Sequence, residues 1–514
     1  MMKKSSLFFI SNLLVLFTCY GQITFSKLFF NCFPCTTWGR TVLQDSNYYY
    51  VFAGGAELFG DIQFGSESML KFDNLGNQLQ FENFAAENTD WYVSQPGALK
   101  KVSDERFITD ATYSDISGTY GILYYMNSDC DTLFTKKFIG DGYTAFYNTD
   151  FRNDTIYVIG ATRDTILYNT YMYLVALDTL GNTLWERKYG NGIIDELGLI
   201  VDHFTDGKLI IGGALEHVGA GTSTDGKIYK TDVAGNSYFS KLYGTPGDDG
   251  PMYIKVANDD QGFIIQQNLD TVINEGDYQY VRYIGKMDTS GNYIWRTFFN
   301  RTQYLDFWNF RENVDGSIVG CGVAITDSIE EFHGYITKLD AEGNILWERD
   351  YTTDNYYDAY FFDVQQTWDK GYIISGSAVG DIDGDPNQQM WLVKLDSMGC
   401  LEPGCADTGT AIIPFQAQIS IFTIYPNPIS EIATVEIHIP SDFNIISGEK
   451  LQLNIYDING RLVDHYANIP VNNPNEIIRF NIYKKQLATG IYSANLIYGG
   501  RDLGVVKIVL TESN

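Results

Sequence analysis

Cations are scarce in this chain. Thirty-five Lys and Arg stand against 64 Asp and Glu, a net charge of −29. Such a surface repels phosphate backbones and anionic bilayers alike, which argues against nucleic acid or a membrane surface as a partner. Histidine is scarcer still, with only His203, His217, His333, His438 and His465, and none lies in H-E-x-x-H. G-x-S-x-G and G-x-x-x-x-G-K-[ST] do not occur, and Gly219-Ala220-Gly221 lacks the rest of a dinucleotide fingerprint, so the common catalytic and nucleotide signatures are excluded. Beyond the N-terminal stretch no segment reaches the ~18 continuous apolar residues of a membrane-spanning helix. Helical periodicity is nowhere sustained.

What is present is bulk, aromatic surface and turns. The 514 residues are 45% hydrophobic and 15% aromatic with 49 Gly, enough for a large core and for two or three domains. Lys3 and Lys4, the apolar run Leu7 to Phe17 and the cleavage zone Tyr20-Gly21-Gln22 describe a secretory signal peptide over 1–21. The rival reading, a lipidated Cys19, is disfavoured by the bulky Thr18 before it. Export makes disulfides chemically available. Cys400 and Cys405 flank Leu-Glu-Pro-Gly and are read as a staple at a domain end. Cys32-Phe-Pro-Cys35 has redox spacing without the strand-to-helix setting that redox chemistry needs, and reads as a local disulfide or two free thiols.

A repeat organises the rest. KFDNLGNQLQF at 71–81 recurs as ALDTLGNTLWERKYG at 176–190, KTDVAGNSYFSKLYG at 230–244, KMDTSGNYIWRTFF at 286–299 and KLDAEGNILWERDY at 338–351. YMNSDCDTLFTKKF at 125–138 is a degraded copy and KLDSMGC at 394–400 a truncated one. The marker residues 73, 127, 178, 232, 288, 340 and 396 are spaced by 54, 51, 54, 56, 52 and 56, a period that suits propeller blades. Asp-x-x-Gly-Asn is a hairpin connection in which Asp accepts backbone hydrogen bonds and Gly supplies positive φ. Trp185, Phe239, Trp295 and Trp347 follow it and are read as packing between sheets. Upstream runs such as TDGKLIIGG at 205–213 and VDGSIVGCG at 314–322 bring each unit to about four strands.

The last unit lacks its post-turn strand, while Thr24 to Phe30 (TFSKLFF) resembles the missing piece, as in FSKLYG at 239–244. The expectation is an all-β chain: a seven-bladed β-propeller over 22–405, its final blade closed by the N-terminal strand. The hairpins resemble the D-x-x-G-N-x-x-W repeats of bacterial secreted propeller families over residues 24 to 400.

After a linker at 406–420, residues 421–514 alternate apolar and polar strand segments and read as a small immunoglobulin-like β-sandwich. It contains Tyr425-Pro426-Asn427-Pro428, a hairpin from Leu453 to Val463 that turns at Gly460-Arg461, Leu487-Ala488-Thr489-Gly490-Ile491-Tyr492 and a closing Lys507-Ile508-Val509-Leu510. In that order the motifs resemble the type A C-terminal sorting domain of the type IX secretion system of Bacteroidetes. The resemblance implies Sec export, recognition by the outer-membrane secretion machinery, and release or attachment at the cell surface; the lack of a long apolar run separately gives the expectation of no transmembrane anchor.

Chemistry is sparse in the sequence. Asp381, Asp383 and Asp385 alternate in a short run that offers the oxygen ligands calcium takes, or that is a plain acidic loop. No cofactor is assigned and no catalytic residue is named. Tyr48, Tyr49, Tyr50, Tyr356, Tyr357 and Tyr360 suit either sugar stacking or packing between blades. Two functions follow: a non-catalytic binding propeller for a glycan, peptide or surface protein, or a secreted hydrolase or lyase acting on polysaccharide.

Overall fold

The computed structural model describes residues 22–29, 35–401 and 422–511, apart from short stretches within them. The signal segment, Cys32, Cys405, Gly460, Arg461 and Asp383 lie outside the described residues. No helix occurs among those described.

Among the described residues seven antiparallel sheets succeed one another, over 35–83, 90–138, 144–189, 195–243, 253–299, 304–351 and 356–395. Seven apolar clusters occupy the junctions between successive sheets. One of them joins Val42, Val51 and Phe72 of the first sheet to Ile373, Met390 and Leu392 of the last, so the series closes into a ring. This is a β-propeller.

The seam uses the N-terminal strand Phe25–Phe29, which pairs antiparallel with Asp385–Leu395, Phe25 opposite Lys394 and Phe29 opposite Met390. It supplies the outermost strand of the seventh sheet and covers what is otherwise an open edge.

The repeated hairpin does two jobs. Within each turn the Asp carboxylate accepts backbone N–H groups, as Asp178 Oδ1 does from Leu180 at 2.9 Å and Asn182 at 2.8 Å. Between sheets, the aromatic ring of one outer strand lies on the hairpin glycine of the next. Trp185 covers Gly235, Trp295 covers Gly343, Trp347 covers Gly399, and Phe25 from the N-terminal strand covers Gly76. A Cβ on Gly235 would stand 2.5 Å from the Trp185 ring, so glycine serves here for close approach as well as for its φ of 76°. The same glycine's carbonyl accepts Tyr189 Oη at 2.8 Å. In the degraded copy, Cys130 takes the glycine's place at φ 71° and is buried with its thiol free.

Outer strands carry a second periodic device. The residue just before each covering ring is an extra, bulged one: Leu133, Leu184, Tyr238, Ile294 and Leu346. All five are 40–54% exposed. A bulge in an outermost strand disrupts its free hydrogen-bonding edge, which protects a propeller rim from pairing with another molecule.

The C-terminal module packs a three-stranded sheet (Phe422–Tyr425, Ile432–His438, Ile477–Tyr483) against a four-stranded one (Leu451–Asp457, Leu462–Ile469, Gly490–Tyr498, Arg501–Leu510). Alternating residues of both, among them Val435, Ile437, Leu451, Leu453, Ala494 and Leu496, form one core. Tyr425-Pro426-Asn427-Pro428 crosses between the sheets: Asn427 Oδ1 accepts the Val509 N–H at 2.9 Å, and Ile429 bonds the backbone of Val509 and Thr511. Tyr492 is buried and donates its hydroxyl to the Ala488 carbonyl at 2.9 Å.

Candidate functional site

The innermost strands of the propeller line its axis, and five of them are bent by a one-residue bulge at Arg40, Tyr147, Leu199, Trp308 or Phe362. The neighbouring strand permits four of these bends. Opposite four of these bulges stand Gly160, Gly213, Gly322 and Gly376, where an added Cβ would fall 1.9–2.0 Å from an inner-strand carbonyl oxygen. Gly322→Ala is therefore expected to cost about 2–3 kcal/mol by forcing the bulge out of register. Chemical denaturation checks this, and a loss below about 0.5 kcal/mol rejects the coupling of glycine to bulge.

The bend brings one position of every unit to the axis. Three residues after each bulge stand Leu43, Asp150, Asp202, Arg311 and Gln365. Lys100 and Lys255 occupy the same place in the two remaining sheets, opposite Ile108 and Ile264. Around the ring the layer reads Leu, Lys, Asp, Asp, Lys, Arg, Gln.

Its charges interact. Lys100 Nζ is 3.5 Å from Asp150 Oδ1, and His203 Nδ1 hydrogen-bonds Asp150 Oδ2 while lying 3.7 Å from Asp202 Oδ1. Asp202 Oδ2 accepts the Val256 N–H at 2.8 Å. Burial opposes ionisation of Asp150, but Lys100 and the bonded His203 overcome it and hold the carboxyl at about 2. Burial, then the charge of Asp150, pushes Asp202 the other way, above the usual carboxylate range. Two carboxyl groups with divergent affinities for a proton thus flank one imidazole. Their ligand atoms lie within 4.8 Å of one another, a spacing a metal ion accepts. The ammonium groups of Lys100 and Lys255 face the same space, however, and oppose a divalent cation there.

Arg311 is anchored differently. Its Nη2 lies 3.1 Å from both carboxylate oxygens of the fully buried Asp363. Asp363 also accepts Thr41 Oγ1, the Val42 and Val364 N–H groups and Asn309 Nδ2, at 3.0, 2.9, 2.8 and 2.5 Å. It ties the first, sixth and seventh sheets together.

Lys255 stands apart, with no hydrogen bond or ion pair among the described residues. Burial first, and then the like charge of Lys100, lowers it to about 8. The side chains of Lys100, Asp202, His203 and Arg311 keep 18–23% exposure, so solvent reaches this layer.

The second sheet closes the channel in its own way. Its inner strand is split into Asp90–Val93 and Lys100–Ser103, both paired with Arg106–Asp115. Between them Pro96 and Gly97 form a buried turn. Gln95 donates its N–H to the Tyr147 carbonyl at 2.6 Å and Gly97 donates to Thr41 Oγ1 at 3.2 Å. A Cβ at Gly97 would meet Asn309 Nδ2 at 3.2 Å, Arg311 Nη2 at 3.5 Å and Lys255 Nζ at 3.8 Å. The turn touches four other sheets and so crosses the axis.

None of these groups was singled out from the sequence, although the glycines that end the second-strand runs were on view. The residues that were singled out lie elsewhere. Asp381 lies in the strand Tyr372–Ile382, opposite Pro386, and Asp385 begins Asp385–Leu395, opposite Ile382. Cys400 is in a disulfide, while Cys405 lies outside the described residues. Tyr49 and Tyr50 are buried in sheet junctions, whereas Tyr48 and Tyr357 are exposed.

No curated protein matches the chain. Among solved structures, the β-propeller domain of the trilobed protease from Pyrococcus furiosus is similar at 9% identity and TM-score 0.38, covering 69% of this chain and 95% of that one. An α-L-arabinanase from Penicillium chrysogenum complexed with arabinobiose is similar at 10% identity and TM-score 0.41, covering 60% and 94%. A β-1,2-mannobiose phosphorylase from Listeria innocua is similar at 10% identity and TM-score 0.28, covering 61% and 92%. Among the described residues no helix is long and apolar enough to cross a membrane. Residues 423–511 match the family described as the secretion system C-terminal sorting domain, so the chain ends in a type IX sorting domain and is a secreted or cell-surface protein of Bacteroidetes type.

Proposed function

We propose that this is a binding propeller, delivered outside the cell by its C-terminal domain, whose channel receives an acidic group of an extracellular glycan. The observation that carries this reading is the Lys255 ammonium, which has no acceptor among the described residues and lies in a solvent-reached layer with Lys100 and Arg311. A carboxylate placed there completes the charge pattern and relieves the repulsion among three cations. An acidic glycan suits a protein of net charge −29 only if recognition is local and the acidic surface is held away, which a recessed channel provides.

The test is calorimetric titration of the mature full chain with oligogalacturonate, a neutral oligosaccharide of the same length and an acidic peptide. Oligogalacturonate is expected to bind, and Lys255→Met to weaken it at least tenfold. Affinity should fall as pH rises through about 8, because the ammonium responsible loses its proton there. Equal binding by the neutral oligosaccharide, or preference for the peptide, refutes the acidic-glycan assignment.

A second reading rests on the His203–Asp150 pair beside the raised Asp202 carboxyl, which has the make-up of acid and base groups for a hydrolase or lyase. Shortening of the oligogalacturonate during the titration, abolished by His203→Gln, favours this reading over a binder.

Delivery is tested separately. Deleting residues 421–514 is expected to abolish display at the cell surface and leave the propeller in the periplasm, as read by surface proteolysis; undiminished display rejects the role given to the tail.

A further inference from the structure

Arg40 occupies the bulge of the first sheet's inner strand, three residues before the charged layer. Its guanidinium carbon stands 5.1 Å from the Trp308 ring centroid and 5.0 Å from that of Phe362, and these two rings meet at 90° with centroids 5.2 Å apart. All three residues are inner-strand bulges, of the first, sixth and seventh sheets, so they converge at the axis. Arg311, on the inner strand of the sixth sheet, has a carboxylate, Asp363. Arg40 has none among the described residues. Its Nε is buried with no hydrogen-bond partner, and so is Trp308 Nε1. An unmatched buried donor is destabilising, and two in one stack form an arrangement that an acceptor-bearing ligand stabilises. Burial lowers Arg40 to about 10, which leaves it charged at neutral pH.

We propose that Arg40 and Trp308 form a second binding site in the propeller axis, for a single carboxylate carried on a planar or apolar body. A guanidinium edge matches a carboxylate in a bidentate manner, and the indole N–H adds a third donor. The aromatic walls accommodate an apolar remainder and penalise a doubly charged phosphate, whose hydration they cannot replace. The site shares no residue with the layer of Lys100, Lys255 and Arg311.

The probes are benzoate, its neutral isostere benzamide, galacturonic acid and inorganic phosphate, titrated into the mature full chain carrying ¹⁵N-labelled Trp. The Trp308 indole resonance is assigned by its disappearance in Trp308→Phe. Benzoate is expected to move that resonance, with benzamide and phosphate at least about tenfold weaker. Arg40→Met keeps the stacked side chain without its charge and should weaken benzoate at least about tenfold, while Trp308→Phe, titrated calorimetrically because its reporter resonance is gone, keeps a ring without the donor and should weaken benzoate about threefold. A larger response to benzoate than to galacturonic acid supports the planar, apolar body; the reverse overturns it, because that sugar is polyhydroxylated and not planar. Benzamide binding as well as benzoate overturns the proposal, as does an unmoved Trp308 resonance. Should Arg40→Met fail to fold, the benzoate-to-benzamide ratio and Trp308→Phe decide the matter.

Discussion

Asp363→Ala is expected to lower the stability of the propeller by about 3–5 kcal/mol, the range for removing one partner of a buried charge pair. Asp363 has no solvent exposure, and its two oxygens serve donors from three sheets: Asn309 and Arg311 of the sixth, Val364 of the seventh, and Thr41 and Val42 of the first. Alanine leaves the Arg311 charge without this counterion and removes the acceptor of the Val42 N–H. The loss is also positional, since Arg311 then no longer holds its place beside the Pro96–Gly97 turn. Urea denaturation of the variant measures the effect. A change smaller than about 1 kcal/mol shows that water enters and replaces the carboxylate, and the junction is then not held by this residue.

Removing the strand Phe25–Phe29, by placing the mature start after it, is expected to cost about 4.5–6 kcal/mol, from three partly buried apolar side chains at about 1.5–2 kcal/mol each. Phe25 lies on Gly76, Phe29 packs on Phe72 with centroids 4.7 Å apart, and Leu28 packs against the cluster of the sixth and seventh sheets. Trp391 Nε1 also loses its acceptor, Ser26 Oγ, at 2.8 Å. The strand Asp385–Leu395 then presents an unpaired edge, so self-association should accompany the loss. Calorimetry and light scattering read both effects. A truncated chain that stays monomeric with an unchanged melting temperature shows that the ring does not depend on this seam.

The hairpins were legible in the sequence because everything they need is local. Gly181 and Asn182 both bond Asp178 within five residues, and a geometry set by neighbours repeats wherever those neighbours repeat. Even the degraded copy keeps the turn: Asn127 Oδ1 accepts the N–H groups of Asp129 and Asp131, each at 2.9 Å, in the manner of the Asp it replaces. The likeness of TFSKLFF to FSKLYG carried the seam, since Phe25 meets Gly76 as Phe239 meets Gly291. The sandwich was readable from alternation and from an ordered set of motifs.

The channel was not legible in the same way. Lys100, Asp150, Asp202, Lys255 and Arg311 share a structural position but not a residue type, so no periodic signal marks them. Their alignment depends on inner-strand bulges whose trace, Gly160, Gly213, Gly322 and Gly376, falls on the neighbouring strand. That glycine was visible as part of a buried run, but its reason is a carbonyl on the preceding strand, and the approach exists only once the two strands pair. In the second sheet the repeat itself is broken by Gln95 to Leu99, and only the ring shows that the broken piece crosses the axis.

The sequence by itself determined the strands, the turns, the repeat and the exported tail, because these follow from backbone preferences and apolar alternation over a few residues. Tertiary structure decided which charges meet. Electrostatic contacts depend on distances of a few ångströms between groups some fifty residues apart, and those distances come into being only when the sheets close around a common axis.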